Sequence, residues 1–537
     1  MKRFLLAVLV IASISLNAQF SSGVTTPNAS VEKLMDENDP AFQGSMTITK
    51  EDLVKHLTIL ASDEFQGRET GEPGNDLASA YIAGELERIG YEPVEGDSYF
   101  QKVDFNWISW DDISIHVGEN RYKHLWDFLS FPDKNKDMGT LELDEVVFLG
   151  YGIDDPNYTD YKRANVDGKV IMISEGEPMD ADGNYIISGN KEASEWSDAT
   201  EKKLALAHEM GVKTVLIITK DIQAMLGENR RKLLGPTVVI GQSDKDGPEL
   251  ANSLFISSNI AKDIIGDKEK KILKARKRIA KGKSKKVKLK TDLTLTQKRK
   301  EYALDGNNIL GYLEGTDKKD ELLIVSAHYD HVGMKGDDVF NGADDNGSGT
   351  TTVLELAEAF MKAKEAGNGP RRSILFLWLT GEEKGLLGSE YYTQFPVFPL
   401  ETTIADINID MVGRVDEKYE DNPNYIYVIG SDRISTDLHA INEEMNQKYT
   451  QLTLDYTYNS EEDPNRFYYR SDHYNFAKNG IPSIFFFNGV HADYHRTTDT
   501  VDKINFDKMT QVARHIFHLA WKLSNQEGDL NRANGKA

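Results

Sequence analysis

ELLIVSAH (321–328), TTVLELAEAFMKAKEAG (351–367) and RSILFLWLT (372–380) read as strand, helix, strand. The two outer runs are apolar and of strand length, whereas the middle one carries its apolar residues at helical spacing. ILGYLEG (309–315) supplies a strand before them. Alternation of this kind predicts an α/β fold with a mostly parallel mixed sheet and helices on both faces. In open sheets of this type ligands bind beyond the carboxyl ends of the strands. Five segments rich in acid, glycine or histidine lie in this part of the chain: SAHYDHVG (326–333), NGADDNGSG (341–349), LTGEEKGLLGS (379–389), INIDMVG (407–413) and DYHRTTDT (493–500). Four of the five are reached at or soon after an apolar run, so scattered side chains are expected to converge on one crevice. A last helix, from about Asp507, puts Met509, Val512, Ile516, Ala520 and Leu523 on one face to pack on the sheet.

Outward from this region the chain divides further. With 537 residues it exceeds one ordinary domain. Residues 1–18 have a basic start, an apolar stretch and a small residue at Ala18, the build of a signal peptide, and the expected location is periplasmic or extracellular. Residues 19–46 read as a loosely ordered polar leader. Helical spacing in EDLVKHLTILAS (51–62) and GNDLASAYIAGELERIGYEPV (74–94) makes 47–106 the first part of the main domain. Residues 107–298 form a self-contained β-rich unit, with strands such as LDEVVFLGYG and GKVIMISEG and one helix, EKKLALAHEMG. The main domain resumes over 299–526 and ends in a polar tail, 527–537. No later stretch reaches the ~18 consecutive apolar residues of a membrane span.

The formal charge of −24 argues against nucleic acid, which is bound by neutralising phosphates. One run, 267–290, is strongly basic and reads as a solvated helix leading into an exposed strand. No cysteine is present, which excludes disulfides and thiolate metal sites and leaves nitrogen and oxygen as the only donors. DADGN (180–184) has the look of a calcium loop but lacks its glycine and distal glutamate, so it reads as a turn.

His328 and Asp330 form a His-x-Asp pair at a strand end, where the carboxylate can fix the imidazole tautomer while the ring binds a metal. His331 has the opposite parity and is read as structural. Glycines on both sides of Asp344 and Asp345 allow tight backbone to pin a carboxylate shared by two cations. Glu382 and Glu383 are adjacent carboxylates beyond an apolar strand; without a cation their repulsion raises at least one pKa, so one ligand and one base is the natural division. Asp410 closes an apolar run where an uncompensated carboxylate is costly. With His495 the set gives each of two cations three protein donors if one carboxylate is shared, leaving positions for water.

These segments resemble those of the zinc exopeptidases of metallopeptidase family twenty-eight, the bacterial leucyl aminopeptidase type. The likeness extends to LASDEFQGRETGEPGNDLASAYIAGEL near the start and to RSDHYNFAKNGIPSIFFF. It implies two Zn²⁺ per chain, with Asp345 bridging, His328 and Asp410 on one ion, Glu383 and His495 on the other, Glu382 as general base and Asp330 orienting its histidine. Asp344 is then structural. VVFLGYGIDDPNYTDYKRANVDGKVIMISEGEP within 107–298 resembles a protease-associated domain, which frames or covers the cleft in that family. Arg496 stands where many relatives have a small or hydroxyl residue.

The expected function is release of N-terminal residues from peptides by water shared between two metal ions. Around RFYYRSDHYNF (466–476), Arg470, Ser471, Asp472, His473 and Tyr474 are the candidate substrate-binding residues. Carboxypeptidase action stays open because Arg466 and Arg470 suit a C-terminal carboxylate. Glutaminyl cyclase chemistry, which uses one zinc, and a non-catalytic receptor-like binding protein are two rival functions; both conflict with a complete donor set. Peptides are the expected partners.

Overall fold

The computed structural model of the protein describes residues 36–532 apart from 95, 97, 163 and 242–247. The expected signal peptide and most of the polar leader lie outside the described residues. The leader ends earlier than expected, because Pro40–Met46 is a helix (α1). Pro40 presets its first turn, and the Asp39 carboxylate accepts the Ala41 N–H at 3.0 Å. Gly44 admits close packing: a Cβ there would meet the Phe517 ring at 2.5 Å. Helices α2 (Lys50–Leu60) and α3 (Pro73–Ile89) follow, the latter stopped by Gly90 at φ 100°.

Strands β1 (Phe100–Val117) and, much later, β7 (Val287–Leu313) form one long antiparallel ribbon, paired from Phe100↔Ile309 to Val117↔Leu293 with a register shift between Trp110 and Asp112. The expected boundaries at 106/107 and 298/299 therefore fall inside continuous strands. Between them, β2 (Gly139–Phe148), β3 (Val170–Ser174), β4 (Thr214–Ile218) and β6 (Asn252–Ile256) run parallel in that order, while β5 (Thr237–Ile240) pairs with β1. Helices α4 (Thr200–Glu209), α5 (Ile222–Glu228), α6 (Arg230–Leu234), α7 (Ser258–Ile265) and α8 (Glu269–Ile279) accompany them. The unit is thus an α/β layer structure, where the sequence pointed to strands and a single helix. In α8 the buried apolar residues are only Ile272, Ala275 and Ile279, among exposed lysines, arginines and Leu273. The inserted unit has hydrophobic clusters of its own on the two faces of its sheet.

Beyond the ribbon come β8 (Lys318–His328), α9 (Gly349–Glu365), β9 (Arg372–Leu379), α10 (Leu387–Gln394), β10 (Thr403–Ile409), β11 (Tyr425–Ile429), α11 (Thr436–Met445), β12 (Thr453–Asp455), α12 (His473–Ala477), β13 (Ser483–Phe487) and α13 (Phe506–Asn525). The sheet order is β12-β11-β13-β10-β8-β9-β7; β13, β10, β8 and β9 are parallel, and the antiparallel pairs are β11–β13 and β9–β7. Alternation sorts the side chains. Leu323, Val325, Ile374, Phe376 and Trp378 join a core with α2, α3, α9 and α13, whereas Leu322, Ile324, Leu375 and Leu377 face Tyr392 and Phe476 on the other side. Burial on both faces is why these strands read as unbroken apolar runs. No helix among the described residues is long and apolar enough to cross a membrane.

Candidate metal centre and catalytic cleft

The parallel strands end together. His328 is the last residue of β8, Glu382 and Glu383 follow β9, Asp410 follows β10, and His495 lies in the loop after β13. Two groups of donor atoms form there, each lying within 4.8 Å of one another: His328, Asp345 and Asp410, and His331, Asp345, Glu383 and His495. Asp345 belongs to both. Its Oδ1 is 3.6 Å from His328 Nε2, which is 3.3 Å from Asp410 Oδ1. Its Oδ2 is 3.0 Å from His495 Nε2, which is also 3.0 Å from Glu383 Oε1.

His331 corrects the sequence reading. Its Nδ1 is 3.1 Å from Glu383 Oε1 and 3.7 Å from Asp345 Oδ2, and its ring meets that of His495 edge-on at 5.5 Å. Strand alternation stops at His328, so parity no longer governs position 331. The turn is held by Arg68, a fully buried side chain that sequence reasoning missed. Its guanidinium donates to the carbonyls of Leu60 (2.7 Å), Tyr329 (2.9 Å), Asn341 (2.7 Å) and Gly342 (2.9 Å), tying the two donor-bearing loops together. Burial lowers its pKa to about 10.

Gly342, at φ 54°, is required by the crowding: a Cβ would lie 2.2 Å from the Asp345 carbonyl and 2.5 Å from the His331 ring. The Asp345–Asn346 peptide bond is cis. Asp344, one residue from the shared acid, faces away from both groups. Its Oδ1 accepts the Gly413 N–H at 2.7 Å and its Oδ2 accepts from Asn488 at 3.0 Å and lies 3.2 Å from His491 Nε2. Asn346 Oδ1 takes the Met411 N–H at 3.1 Å and Ser348 Oγ the Val412 N–H at 2.9 Å. The acidic turn thereby dictates the backbone after Asp410, including Met411 at φ 60°; His495 itself sits at φ 54°. Such left-handed positions cost on the order of 1–3 kcal/mol each and persist where surroundings impose them.

Asp330 has more to do than orient His328. Its Oδ1 accepts the Glu382 N–H at 3.1 Å, its Oδ2 the Glu383 N–H at 3.3 Å and the Thr70 hydroxyl at 3.0 Å. The His328 Nδ1 is nearer the Asp330 carbonyl (3.1 Å) than its carboxylate (3.7 Å). Either acceptor keeps the proton on Nδ1 and leaves Nε2 facing Asp345 and Asp410.

Electrostatics mark the cluster as a cation site. Burial, then Glu383, Asp410 and Asp472, push Glu382 well above the usual carboxylate range, although His328 opposes them. Burial favours a neutral ring at His328, yet Asp410 and Glu382 hold its pKa well above normal. His495, despite burial, is pushed up to about 10 by Asp345 and Glu383. The buried atoms His328 Nε2, Asp345 Oδ2, Asp410 Oδ1 and His495 Nε2 have no hydrogen-bond partner, and these are the atoms that converge. Nitrogen and oxygen donors facing one another in this way fit divalent cations of the zinc, cobalt or manganese kind.

The adjoining cleft is lined by Asp345, Glu382 and Asp410 and walled by Met411, Phe467, Phe485, Phe487, Val490, Arg470 and Tyr494. Of the five expected substrate residues, only Arg470 lines it. Ser471 is buried and donates to Asp410 Oδ2 at 2.7 Å; Asp472 is buried and accepts from Ser389 at 2.5 Å. His473 is buried and stacks on Phe485 at 4.7 Å, and Tyr474 packs edge-on against Tyr469 at 5.1 Å. Ser471, Asp472 and His473 stand behind the wall where the segment turns into α12, and Tyr474 is half-buried outside the lining. Phe485 and Phe487, two apart on β13, share the face that meets the cleft, which alternation in SIFFF would have indicated.

Residues 308–520 match the family model "Peptidase family M28". The chain is 31% identical over 214 residues to a "Probable leucine aminopeptidase" of Arthroderma otae, covering 38% of this chain and 55% of the relative. It is 32% identical over 215 residues to the protein of that name from Trichophyton verrucosum, with the same coverage, so the match spans about half the length of these curated relatives. Among solved structures, the aminopeptidase from Aneurinibacillus sp. strain AM-1 superposes with a TM-score of 0.51 at 18% identity, covering 92% of this chain and 98% of that one, and shares the fold. The segment that holds His328, His331, Asp345, Glu382, Glu383, Asp410 and His495 therefore belongs to Peptidase family M28.

Proposed function

We propose that the protein is an exported metallo-aminopeptidase that removes N-terminal residues from peptides with two zinc ions per chain. The observation that carries this reading is one carboxylate, Asp345, shared by two convergent donor groups beside the free carboxyl of Glu382 in an open cleft. His328, Asp345 and Asp410 would hold one ion, and Asp345, Glu383 and His495 the other, with His331 against Glu383. Bound there, the ions would supply Lewis acidity and lower the pKa of water toward about 7. Glu382 takes the proton of the attacking water and returns it to the leaving amine, a role that suits a carboxyl raised by burial and like charge. Asp330 fixes the base by holding the Glu382 N–H. With Asp345 and Asp410 committed to the ions, Glu382 is the remaining carboxyl on the cleft floor that can meet a substrate ammonium. The relatives' names, leucine aminopeptidase, agree with an apolar wall. The N-terminal 1–18 supports export, and the inserted unit, attached beside the cleft by the ribbon, would act as a protease-associated domain.

The test is a matched pair of peptides offered to zinc-loaded protein, one with a free amine and amidated C-terminus, the other N-acetylated with a free C-terminus. Cleavage of the first alone is expected. Cleavage of the acetylated peptide alone would overturn the direction, and one zinc per chain by elemental mass spectrometry would overturn the two-ion site.

A further inference from the structure

Arg470 is the only cation among the residues that line the cleft. It is exposed, and among the described residues no carboxylate lies within ion-pair distance of its guanidinium, in a chain with 87 acidic against 63 basic residues. Two other cations near the centre are ion-paired: Lys384 with Glu69, and Arg414 with Asp493 at 2.8 Å and Asp499 at 3.6 Å, while Arg68 is buried on four backbone carbonyls. What holds Arg470 leaves its charge intact. Its guanidinium lies over the Phe467 ring, 5.0 Å from the centroid, and one nitrogen is 3.5 Å from the Tyr494 hydroxyl. Tyr494 stacks on the His495 ring at 4.0 Å, and the next residue, Ser471, donates to Asp410 at 2.7 Å, so Arg470 is tied to both sides of the cleft. The Glu382 carboxyl on the floor and one guanidinium without an ion pair on the wall suit a ligand with an amine at one end and a carboxylate at the other.

We propose that Arg470 is a specificity residue that binds a carboxylate of the substrate. The carboxylate comes either from an acidic side chain on the N-terminal residue or from the free C-terminus of a short peptide. Planar guanidinium groups bind carboxylates through paired hydrogen bonds, which a lysine cannot reproduce. This rests on the aminopeptidase reading above and names a substrate class for it.

Four free-amine peptides separate the two sources: Leu-Leu-amide, without a carboxylate; Glu-Leu-amide, with one on the side chain; Leu-Leu, with one at the C-terminus; and Lys-Leu-amide, with the opposite charge. The ratio of kcat/KM for a carboxylate peptide to that for Leu-Leu-amide is expected to fall about 10- to 100-fold in Arg470→Ala, mostly through KM. Arg470→Lys should restore part of it, and Arg470→Glu should shift preference toward Lys-Leu-amide. Which ratio falls identifies the source. Calorimetric binding of glutamate and of glutamine to zinc-loaded wild type and Arg470→Ala gives a readout that needs no turnover: a preference for glutamate lost in the variant supports a side-chain site. Ratios and binding unchanged in Arg470→Ala and Arg470→Glu would overturn the proposal. Wild type that turns over none of the four peptides, yet loses its glutamate preference with Arg470, would overturn the aminopeptidase reading and leave the carboxylate site standing.

Discussion

Glu382 and Asp345 differ in what their loss should do. Glu382→Gln is expected to keep its metal content and lose on the order of 10² to 10⁴ in turnover, which elemental analysis beside steady-state kinetics will check. Asp345→Ala should lose metal and turnover together. In chelated protein, however, it should be as stable as wild type or more so, since burial and Glu383 raise the Asp345 pKa and its removal relieves that crowding. Asp344→Ala should do the reverse and lower the urea midpoint of chelated protein, because Gly413, Asn488 and His491 all lose their acceptor. Residue types and strand-end spacing made the donors legible in the sequence. Long-range facts stayed hidden: Arg68 acts through the carbonyls of residues 60, 329, 341 and 342, and no local pattern announces such a clamp. His331 was misread because a period of two was extended past the end of its strand.

Among the elements, α13 shows what a periodic pattern can and cannot tell. Met509, Val512, Ile516, Ala520 and Leu523 are all fully buried, on the face that the 3.6-residue period selects. The same helix also buries His515 and His518, which the period leaves unexplained. His515 is bracketed by the Thr450 hydroxyl at 3.1 Å and Asn442 Oδ1 at 3.0 Å, and His518 lies flat against Tyr449 at 3.6 Å. Burial lowers both pKa values from 6.5 to about 3. The folded state then binds fewer protons than the unfolded one in this window. The stability these rings contribute is complete above pH 6.5 and is lost as pH falls toward 3, at up to about 1.4 kcal/mol per pH unit for each ring. Between pH 7 and 5 the urea midpoint of chelated wild type should therefore fall relative to that of chelated His515→Gln. Equal slopes would show that His515 does not bear the acid sensitivity. The inserted unit was less legible than α13, since α8 buries only three apolar residues in a basic run and the ribbon strands cross the composition boundary unbroken.

At the level of the whole molecule, the ribbon determines where the inserted unit can be removed. Phe105 on β1 lies against Gly381, where a Cβ would meet its ring at 3.3 Å, and clusters with Leu387, so the ribbon's base supports the turn that carries Glu382 and Glu383. Replacing residues 111–298 by a tight turn, which joins the paired positions Trp110 and Arg299, should preserve metal binding. Cutting back to Gln101 and Asn308 removes Phe105 and should lower turnover even where metal still binds; equal turnover in the two deletions would show that Phe105 is dispensable. The donors have a further consequence, since they are spread from residue 328 to residue 495 and meet only when four parallel strands are aligned. Ions held by them would act as a reversible cross-link that closes long loops and favours the ordered chain by mass action. On the proposed two-ion reading, scarcity of the metal would then loosen the scaffold as well as silence the cleft, so the supply of ions would govern how long the chain stays ordered.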